Sequence, residues 1–388
     1  MNQLLTKEAM ALLATVGEID SKTDVLQLIT SLRKAGHDPL LVTEVVTQAR
    51  LRTRAKAKFG EFANQMLFTE AGLEQATRLE VAALHAERFR ATGFQKIADL
   101  GCGIGADSLA FSAIGLDATA VEMDSETAAF AAFNLAAFEN AKVVNHSAQS
   151  VDLSHFDALW LDPARRDLGR KGAKHIVLKP EDFSPNLNWV FALEKPKGVK
   201  LGPAFDLDLI PVNAQAQWVS HRGDLVELTL WFGSLRTESP RVATMLKESG
   251  RFQFEGNGAE LATVAPLGRY LYEPDPSLIR SGLMGEFAIQ NGLTAISEGI
   301  AYLSNSKEMR SPWLKTYKII EVLPLDEKVI RKQLSELGIG ALEIKKRGVD
   351  ITPEQLRPKL KLKGESAATL VLTKVDGARQ ALIVQPIR

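Results

Sequence analysis

The chain has 388 residues, enough for roughly two to four domains, and its 47 basic and 47 acidic side chains cancel. A neutral chain has no global field that draws it to nucleic acid or membranes, so any such attraction must come from local clusters. The single cysteine, Cys102, excludes an internal disulfide framework and a multi-cysteine zinc site.

The histidines show no metal-ligand spacing, and no apolar run approaches the ~20 residues that span a bilayer. The start, "MNQLLTKEAMALLATVG", lacks the pattern of a signal peptide. We therefore expect a soluble cytoplasmic protein with no metal and no membrane attachment; the sequence gives no basis for an oligomeric state.

Residues 1–93 are predicted to form an N-terminal helical region, because apolar residues recur at helical spacing with few Gly or Pro. Within it, "ARLRTRAKAKFG" concentrates basic side chains with no acidic neighbour. Such a run is either a solvated helix face or a phosphate-contacting patch. Its basic residues are Arg50, Arg52, Arg54, Lys56 and Lys58.

From residue 94 to about 235, short β-rich runs alternate with helical segments, which predicts a parallel sheet with helices on its faces. In such sheets ligands bind beyond the carboxyl ends of the strands. The residues that follow each predicted strand are therefore the candidates for a binding site.

The first strand ends in "IADLGCGIGADSLA", a glycine-rich turn before a helix. Gly101, Gly103 and Gly105 allow positive φ and close approach of a ligand to the backbone, and either Asp107 or Ser108 could open the helix. The turn also satisfies the dinucleotide pattern, so NAD is an alternative cofactor. Asp99 favours a cationic amino-acid group, as in S-adenosylmethionine, because a carboxylate there would repel a pyrophosphate.

The second predicted strand ends at Glu122, at the separation from the turn where an acidic residue can accept hydrogen bonds from a ribose. Met123 is expected to lie against the adenine. After the third strand, Ser147 or the nearby Asn145 is the candidate for the adenine amino group.

The fourth strand, "FDALWLDPARRD", ends at Asp162 and Pro163. A polar residue followed by Pro suits methyl transfer to an amino nitrogen, because the carboxylate and the proline carbonyl can accept the two N–H bonds and orient the lone pair. Enzymes of this kind commonly follow with Pro and an aromatic residue, whereas this chain has Ala164 and Arg165. Arg165 and Arg166 are predicted to contact RNA.

These strand ends resemble class I S-adenosylmethionine-dependent methyltransferases, and more narrowly the bacterial ones with a THUMP-like domain. The resemblance also rests on "YLYEPDPSLIRSGL" and "GIGALEIKKRGVDITPEQLRPKLKLKGESAATLVLT". The segment "EQATRLEVAALHAERF" is similar to trimethylguanosine synthases, which implies cofactor contacts from Gln75 and Thr77. The implied fold is an α/β Rossmann-like core, an extension or insert at 236–315, and a small α+β THUMP-like domain at 316–388.

The terminal segment carries seven basic residues between 345 and 363 against two acidic ones. Lys359, Lys361 and Lys363 alternate with leucines, which predicts a strand with all three lysines on one face. This face is either a lysine-protected sheet edge or, as the resemblance suggests, an RNA-docking surface. The candidate RNA contacts here are Lys346, Arg347, Lys359 and Lys361.

The predicted function is S-adenosylmethionine-dependent methylation of an amino nitrogen of a base in structured RNA, either tRNA or rRNA, with guanine N2 as the candidate atom. One alternative is a non-catalytic RNA-binding protein on a methyltransferase fold. Another is an NAD-dependent oxidoreductase, which leaves Asp99 and Asp162 unexplained.

Overall fold

The computed structural model describes residues 3–165 and 179–387, and of Arg165 it describes the backbone only. The chain divides into two units that are not consecutive in sequence. The first contains Met1–Leu201, Phe205–Ala214 and Leu230–Arg236. The second contains Gly202–Ala204, Gln215–Thr229 and Thr237–Arg388. The four consecutive segments expected from the sequence remain a prediction.

The N-terminal part of the first unit is helical, as its apolar spacing predicted. The helices of this unit are α1 (Lys7–Val16), α2 (Val25–Lys34), α3 (Pro39–Phe59), α4 (Glu70–Gln75), α5 (Leu79–Ala91), α6 (Ala106–Ala113), α7 (Ser125–Leu135) and α8 (Leu187–Ala192). Side chains cap several of them; for example, Asp38 accepts from the backbone N–H groups of Leu40 and Leu41 at the start of α3.

The basic run in α3 is largely engaged within the first unit. Arg52 donates to the Met66 carbonyl at 2.8 Å, Arg54 pairs with Glu70 at 2.6 Å, and Lys56 contacts Glu18. These contacts favour a structural role for the run over a phosphate-contacting patch.

The strands of the first unit form a parallel sheet in the order β7-β4-β1-β2-β3. The chain runs from β1 outward to β3 on one side and then returns to β4 and β7 on the other. This reversal beside β1 creates the crevice in which open α/β sheets bind ligands. The strands are β1 (Lys96–Leu100), β2 (Asp117–Glu122), β3 (Ala141–Asn145), β4 (Ala158–Leu161), a short antiparallel pair of β5 (Ala164–Arg165) and β6 (Phe183–Ser184), and β7 (Lys197–Leu201).

An aromatic cluster packs one face of this sheet. The rings of Trp160 and Trp231 are 5.8 Å apart, with Phe89 and Phe111 edge-on beside them. Each buried aromatic ring contributes about 4–6 kcal/mol of hydrophobic free energy as an upper bound. Gly198 in β7 is required by this packing, because an added Cβ would lie 2.6–2.7 Å from both tryptophan rings.

The second unit contains a sheet in the order β13-β14-β12-β15-β18-β17-β16 and a parallel pair of β8 and β10, with β11 antiparallel to β10. Its strands are β8 (Gln215–His221), β9 (Asp224–Phe232, of which 230–232 belong to the first unit), β10 (Arg241–Lys247), β11 (Gly250–Gly256), β12 (Tyr270–Pro274), β13 (Thr294–Ala295), β14 (Leu303–Asn305), β15 (Leu314–Pro324), β16 (Ile339–Lys346), β17 (Ser366–Val375) and β18 (Ala378–Pro386). Its helices are α9 (Pro276–Arg280), α10 (Met284–Gln290), α11 (Glu327–Glu336) and α12 (Pro353–Leu360).

The predicted strand of alternating lysines and leucines is wrong. Residues Pro353–Leu360 form helix α12, which Thr352 and Gln355 open with a reciprocal capping box. Leu356 and Leu360 are four residues apart and both buried, so they lie on the same buried face of this helix. Lys361 ends the helix with φ 49°, in the left-handed region.

None of the helices within residues 3–165 and 179–387 is long and apolar enough to cross a membrane. Over the same residues, no group of three or more His, Cys, Asp and Glu side chains could hold a metal ion.

Candidate active site

A cleft of about 200 Å³ lies in the first unit at the carboxyl ends of β1, β2 and β4. Predicted residues from three strand ends and from the α4–α5 connection meet there, although they are far apart in sequence. The lining residues are Gly72, Gln75, Ala76, Thr77, Gly101, Cys102, Gly103, Ile104, Ala106, Asp107, Val121, Glu122, Met123, His146, Ala148, Gln149, Asp162, Ala164, Ser184 and Pro185.

The glycine-rich turn has the backbone conformation that its sequence predicts. Gly101, Gly103 and Gly105 have φ of 93°, 55° and 86°, and the N–H groups of Gly101 and Cys102 both donate to the Val121 carbonyl. An added Cβ on Gly103 would meet no atom within 4 Å, so the turn leaves open space there. Gly105 does not line the cleft.

Cys102 belongs to this turn, is half-buried and lines the cleft. Burial raises the pKa of its thiol well above the usual range, and the charges of Asp99 and Glu122 add to the shift. A thiol that stays protonated is a poor nucleophile.

Glu122 and Met123 line the cleft at the end of β2. The Glu122 carboxylate accepts hydrogen bonds from the backbone N–H of Gly103 at 3.1 Å and of Asp124 at 2.9 Å. It therefore joins the glycine-rich turn to the start of α7. Met123 is 69% exposed, and Ser147 lies between the lining residues His146 and Ala148 without lining the cleft itself.

Asp99 requires a correction to the chemistry predicted for it. Its side chain is 1% exposed, accepts a hydrogen bond from the Ser108 hydroxyl at 2.6 Å, and does not line the cleft. Burial raises the pKa of this carboxyl well above its usual range, and the neighbouring Asp107 adds to the effect. A carboxyl that is buried and does not line the cleft is poorly placed to contact a cationic ligand group directly.

Asp99→Asn is expected to gain stability relative to wild type as pH rises. The folded-state pKa of Asp99 is raised, so its contribution to stability is fully present below the ordinary pKa of 3.8 and is lost as pH rises through the folded-state value. An amide has no such titration and can still accept from Ser108. Urea unfolding at pH 4 and pH 8 measures the difference, which should be larger at pH 8; equal differences at both values would contradict the burial argument.

A continuous hydrogen-bonded chain runs from the core to the cleft. His85 Nδ1 lies 2.8 Å from one Asp107 oxygen, and the Thr77 hydroxyl donates to the other at 2.7 Å. Lys200 Nζ donates to Thr77 Oγ1 at 3.0 Å and lies 2.5 Å from Asp162 Oδ2. Burial acts to raise the pKa of Asp107, but the His85 hydrogen bond and charge outweigh it and the pKa is lowered.

His85 and Lys200 are the two residues of this hydrogen-bonded series that the sequence did not single out. His85 is buried in α5. Lys200 lies near the end of β7, with a side chain 12% exposed, and also contacts the Gln75 carbonyl at 3.4 Å. Lys200 is one of two lysines in the five-residue strand KGVKL, which is a weak sequence signal, because only the fold brings Lys200 to Asp162. Pro163 is buried, and the cleft residues His146 and Gln149 were likewise not predicted.

Lys58, from the basic run in α3, contacts the end of α4, which leads into the cleft residues Gln75 and Thr77. Its Nζ donates to the carbonyls of Leu73, Glu74 and Ala76 at 2.7–2.8 Å, where α4 ends. Burial, together with the positive charge of Arg78, lowers the pKa of Lys58 to about 8. Lys58 thus satisfies the carbonyls that the end of a helix leaves without partners.

Lys58→Met is expected to lower the free energy of unfolding by about 1–3 kcal/mol, because partly buried carbonyls lose their donor. Affinity for S-adenosylhomocysteine should also fall, since the affected segment leads into Thr77. Urea unfolding and calorimetry at pH 7 measure the two effects. Arg50→Met, an exposed cation on the same helix, is the matched control. Wild-type values for Lys58→Met in both assays would rule out this supporting role.

The predicted RNA contacts of the second unit differ in their surroundings. Lys346, Lys359 and Lys361 are all exposed, and Lys359 also lies 3.2 Å from Glu327. Arg347 stacks over the Tyr302 ring at 4.7 Å and donates to the Ala301 carbonyl. For Arg165 the side chain is not described, and Arg166 lies outside the described residues.

A parallel sheet with a glycine-rich turn after its first strand, an acidic residue after its second and Asp162 after its fourth defines the class I methyltransferase fold. Two uncharacterised S-adenosylmethionine-dependent methyltransferases of Mycobacterium tuberculosis, from strains CDC 1551 / Oshkosh and H37Rv, are each 30% identical to the chain over 352 residues. The match covers 85% of this chain and 92% of each relative. The chain belongs to this family of S-adenosylmethionine-dependent methyltransferases.

A crystal structure of a Porphyromonas gingivalis W83 protein described as a methyltransferase has the same fold, with a TM-score of 0.73. It is 20% identical and the match covers 95% of this chain and 98% of that one. Family models described as THUMP domain-like and as a domain of unknown function match residues 314–386 and 1–55.

These findings confirm the predicted fold class, with a Rossmann-like core and a C-terminal THUMP-like domain. The protein is an enzyme whose cofactor is S-adenosylmethionine. The oxidoreductase and non-catalytic alternatives are therefore set aside.

Proposed function

We propose that this enzyme methylates an amino nitrogen of a base in structured RNA, tRNA or rRNA, with guanine N2 as the candidate atom. The observation that carries the proposal is the position of Asp162, which follows β4 and lines the same cleft as the glycine-rich turn. The THUMP domain-like match at 314–386 supports RNA as the molecule that carries the base.

The residues proposed to hold the cofactor surround this cleft. Glu122 is suited to accept from ribose hydroxyls, Met123 to cover the adenine, and Gln75 and Thr77 to contact the remainder. The open space over Gly103 is compatible with close approach of a ligand to the backbone. When bound, S-adenosylmethionine supplies an electrophilic methyl group on a positively charged sulfur.

The other predicted cofactor residues contribute around the turn. Gly101 and Asp107 line the cleft, with Asp107 holding Thr77. Asp99 and Gly105 do not line the cleft and are proposed to support the turn. Asp99 accepts a hydrogen bond from Ser108, and Gly105 packs closely against Leu135. Ser147 is proposed to contact the adenine amino group from its place beside the cleft.

In this proposal Asp162 orients the acceptor amine. An exocyclic amine conjugated with a base ring is a poor nucleophile, so its lone pair must be directed at the methyl group. Asp162 accepts one N–H and the Pro163 carbonyl accepts the other. Lys200 fixes the carboxylate through Oδ2, so the orientation exists before the substrate arrives. The proton leaves afterwards, to water or to Asp162.

The acceptor class is tested with radiolabelled cofactor. The purified enzyme is supplied with methyl-labelled S-adenosylmethionine and total RNA from cells that lack the protein, and the RNA is digested to nucleosides. The proposal expects label in an N-methylated base. The rate of labelling should be strongly reduced with Asp162→Asn, and label should be absent with RNA from cells that contain the protein. Label on ribose or a ring carbon, or only in protein or small molecules, would overturn it.

Exposed lysines of the THUMP-like domain are expected to contribute to RNA affinity. Replacing Lys346 with Gln and Lys361 with Asn, which tolerates the left-handed φ, should weaken binding several-fold. The slope of log affinity against log salt should also become shallower by about 1–2, because each phosphate contact releases counterions. Filter binding from 50 to 200 mM salt tests this, with the exposed Lys332→Gln as control. An unchanged slope would exclude phosphate contacts by these lysines.

A further inference from the structure

A second cavity, of about 660 Å³, lies entirely within the second unit and has no role in the chemistry above. Its size falls in the range of roughly 300–1,000 Å³ that holds small organic ligands. The motif "YLYEPDPSLIRSGL" forms part of its wall through Glu273, Pro274, Asp275, Pro276 and Ile279. The motif lines this cavity and contributes no residue to the lining of the methyl-transfer cleft.

The cavity lies where parallel strands end. β8 and β10 are paired in parallel, with His221 opposite Leu246, so both chains turn at the same edge. Arg222 directly follows β8, Lys247 is the last residue of β10, and the Arg222 N–H donates to the Leu246 carbonyl at 2.9 Å. This bond joins the ends of the two strands, where both cationic residues line the cavity.

Lys315 and Arg347 complete a set of basic lining residues. Lys315 lies opposite Glu273 in the pairing of β15 with β12, and its side chain is exposed. Lys247 donates to the Pro312 carbonyl, a neutral partner. Burial lowers the pKa of Lys247, although the negative charge of Asp275 acts against the shift. An anion bound in the cavity would stabilise the charged form of Lys247 and so oppose the lowering of its pKa by burial.

The acidic lining residues are largely engaged by the protein. Glu273 lies 2.5 Å from Lys345, which does not line the cavity, and accepts from the Tyr317 hydroxyl at 3.1 Å. Asp275 accepts from the backbone N–H of Ser277 at 2.9 Å and from the hydroxyls of Ser277 and Ser220, each at 2.6 Å. The third acidic lining residue, Glu248, is exposed. Four basic residues, Arg222, Lys247, Lys315 and Arg347, thus line the cavity against three acidic ones, two of which already accept hydrogen bonds within the protein.

Arg222 occupies a backbone position that disfavours arginine. Its φ is 52° and that of Gly223 is 93°, which is the two-residue hairpin turn that prefers Asn-Gly. A residue with a long side chain at positive φ is uncommon and directs attention to function. Here the residue contributes a guanidinium group, which is suited to bidentate recognition of phosphate.

We infer that this cavity binds an organic phosphate of about the size of a nucleoside monophosphate. The phosphate is held by Arg222, Lys247 and Lys315. The apolar part of the ligand lies against Trp313, Ile279 and Pro276, which line the same cavity. Such a ligand is either a free nucleotide or the phosphorylated end of a nucleic acid, and the inference does not depend on which substrate the enzyme methylates.

Calorimetry of the full chain tests the inference, with saturating S-adenosylhomocysteine present so that nucleotides cannot occupy the cofactor cleft. Guanosine and adenosine 5′-monophosphates should bind at least about tenfold more tightly than the nucleosides. Arg222→Asn and Lys315→Gln should each weaken nucleotide binding about tenfold, and Lys332→Gln should not. Because Asn suits the turn, Arg222→Asn should retain at least the wild-type melting temperature.

A 5′-phosphorylated pentaribonucleotide distinguishes the two sources. Tighter binding than the mononucleotide identifies the end of a nucleic acid, and equal or weaker binding identifies a free nucleotide. Equal affinity for nucleotides and nucleosides, no binding of either phosphate, or wild-type nucleotide affinity in both variants would overturn the inference.

Discussion

Asp162→Asn is expected to lower kcat by about 10²–10³-fold, equivalent to about 2.7–4 kcal/mol of transition-state stabilisation. The amide keeps the shape of the side chain but loses the charge that Lys200 holds at 2.5 Å and that the acceptor amine needs. Affinity for S-adenosylhomocysteine should stay within about twofold of wild type, since orienting the acceptor is separate from holding the cofactor.

Single-turnover methyl transfer and calorimetry measure the two quantities for this variant. Asp117→Asn provides the control, because Asp117 is exposed at the opposite end of the same sheet. If Asp162→Asn kept wild-type turnover, the orienting role would be lost. If it lost cofactor affinity as strongly as turnover, Asp162 would be a cofactor residue.

Glu122→Ala is expected to weaken binding of S-adenosylhomocysteine by about 10–100-fold, the loss of charge-assisted hydrogen bonds worth roughly 1.5–3 kcal/mol. Two effects combine, because the carboxylate is proposed to hold the ribose and also accepts from the N–H groups of Gly103 and Asp124. Glu122→Gln should lose less affinity, since its amide oxygen can still accept one of these bonds.

Calorimetry gives the dissociation constants, and thermal unfolding shows whether the turn survives. Glu139→Ala, an exposed acidic residue outside the cleft, is the matched control. Wild-type affinity in Glu122→Ala would remove Glu122 from the cofactor site. A large fall in melting temperature would assign the loss to the turn instead.

Local sequence was sufficient for the glycine-rich turn and for the strand ends around it. Positive φ at Gly101 and Gly103 follows from residue type, and alternation of strands and helices predicts a parallel sheet whose carboxyl ends meet. Glu122 and Asp162 could thus be placed at one edge without coordinates. The turn between β17 and β18 is Asp376-Gly377, with both residues at positive φ, which is typical of this residue pair in two-residue hairpin turns.

Sequence reasoning failed where two periods compete over a short stretch. Three lysines alternating with two leucines satisfy the period of a strand, but Thr352, Pro353 and Gln355 form the start signal of a helix. A capping box marks where a helix begins, whereas five alternating residues are too few to distinguish a strand from a helix. The capping box was therefore the stronger evidence.

Burial and long-range pairing depend on tertiary structure, because the residues that enclose or contact a side chain are often distant from it in the sequence. Asp99 reads as a charged residue of the turn, and only packing shows that it is enclosed with Ser108 and has a raised pKa. From the sequence, Lys200 is one of two lysines in the strand KGVKL, 38 positions after Asp162. The fold brings their side chains to 2.5 Å, so residue types could indicate the chemistry of the cleft while only the assembled sheet provides its partners.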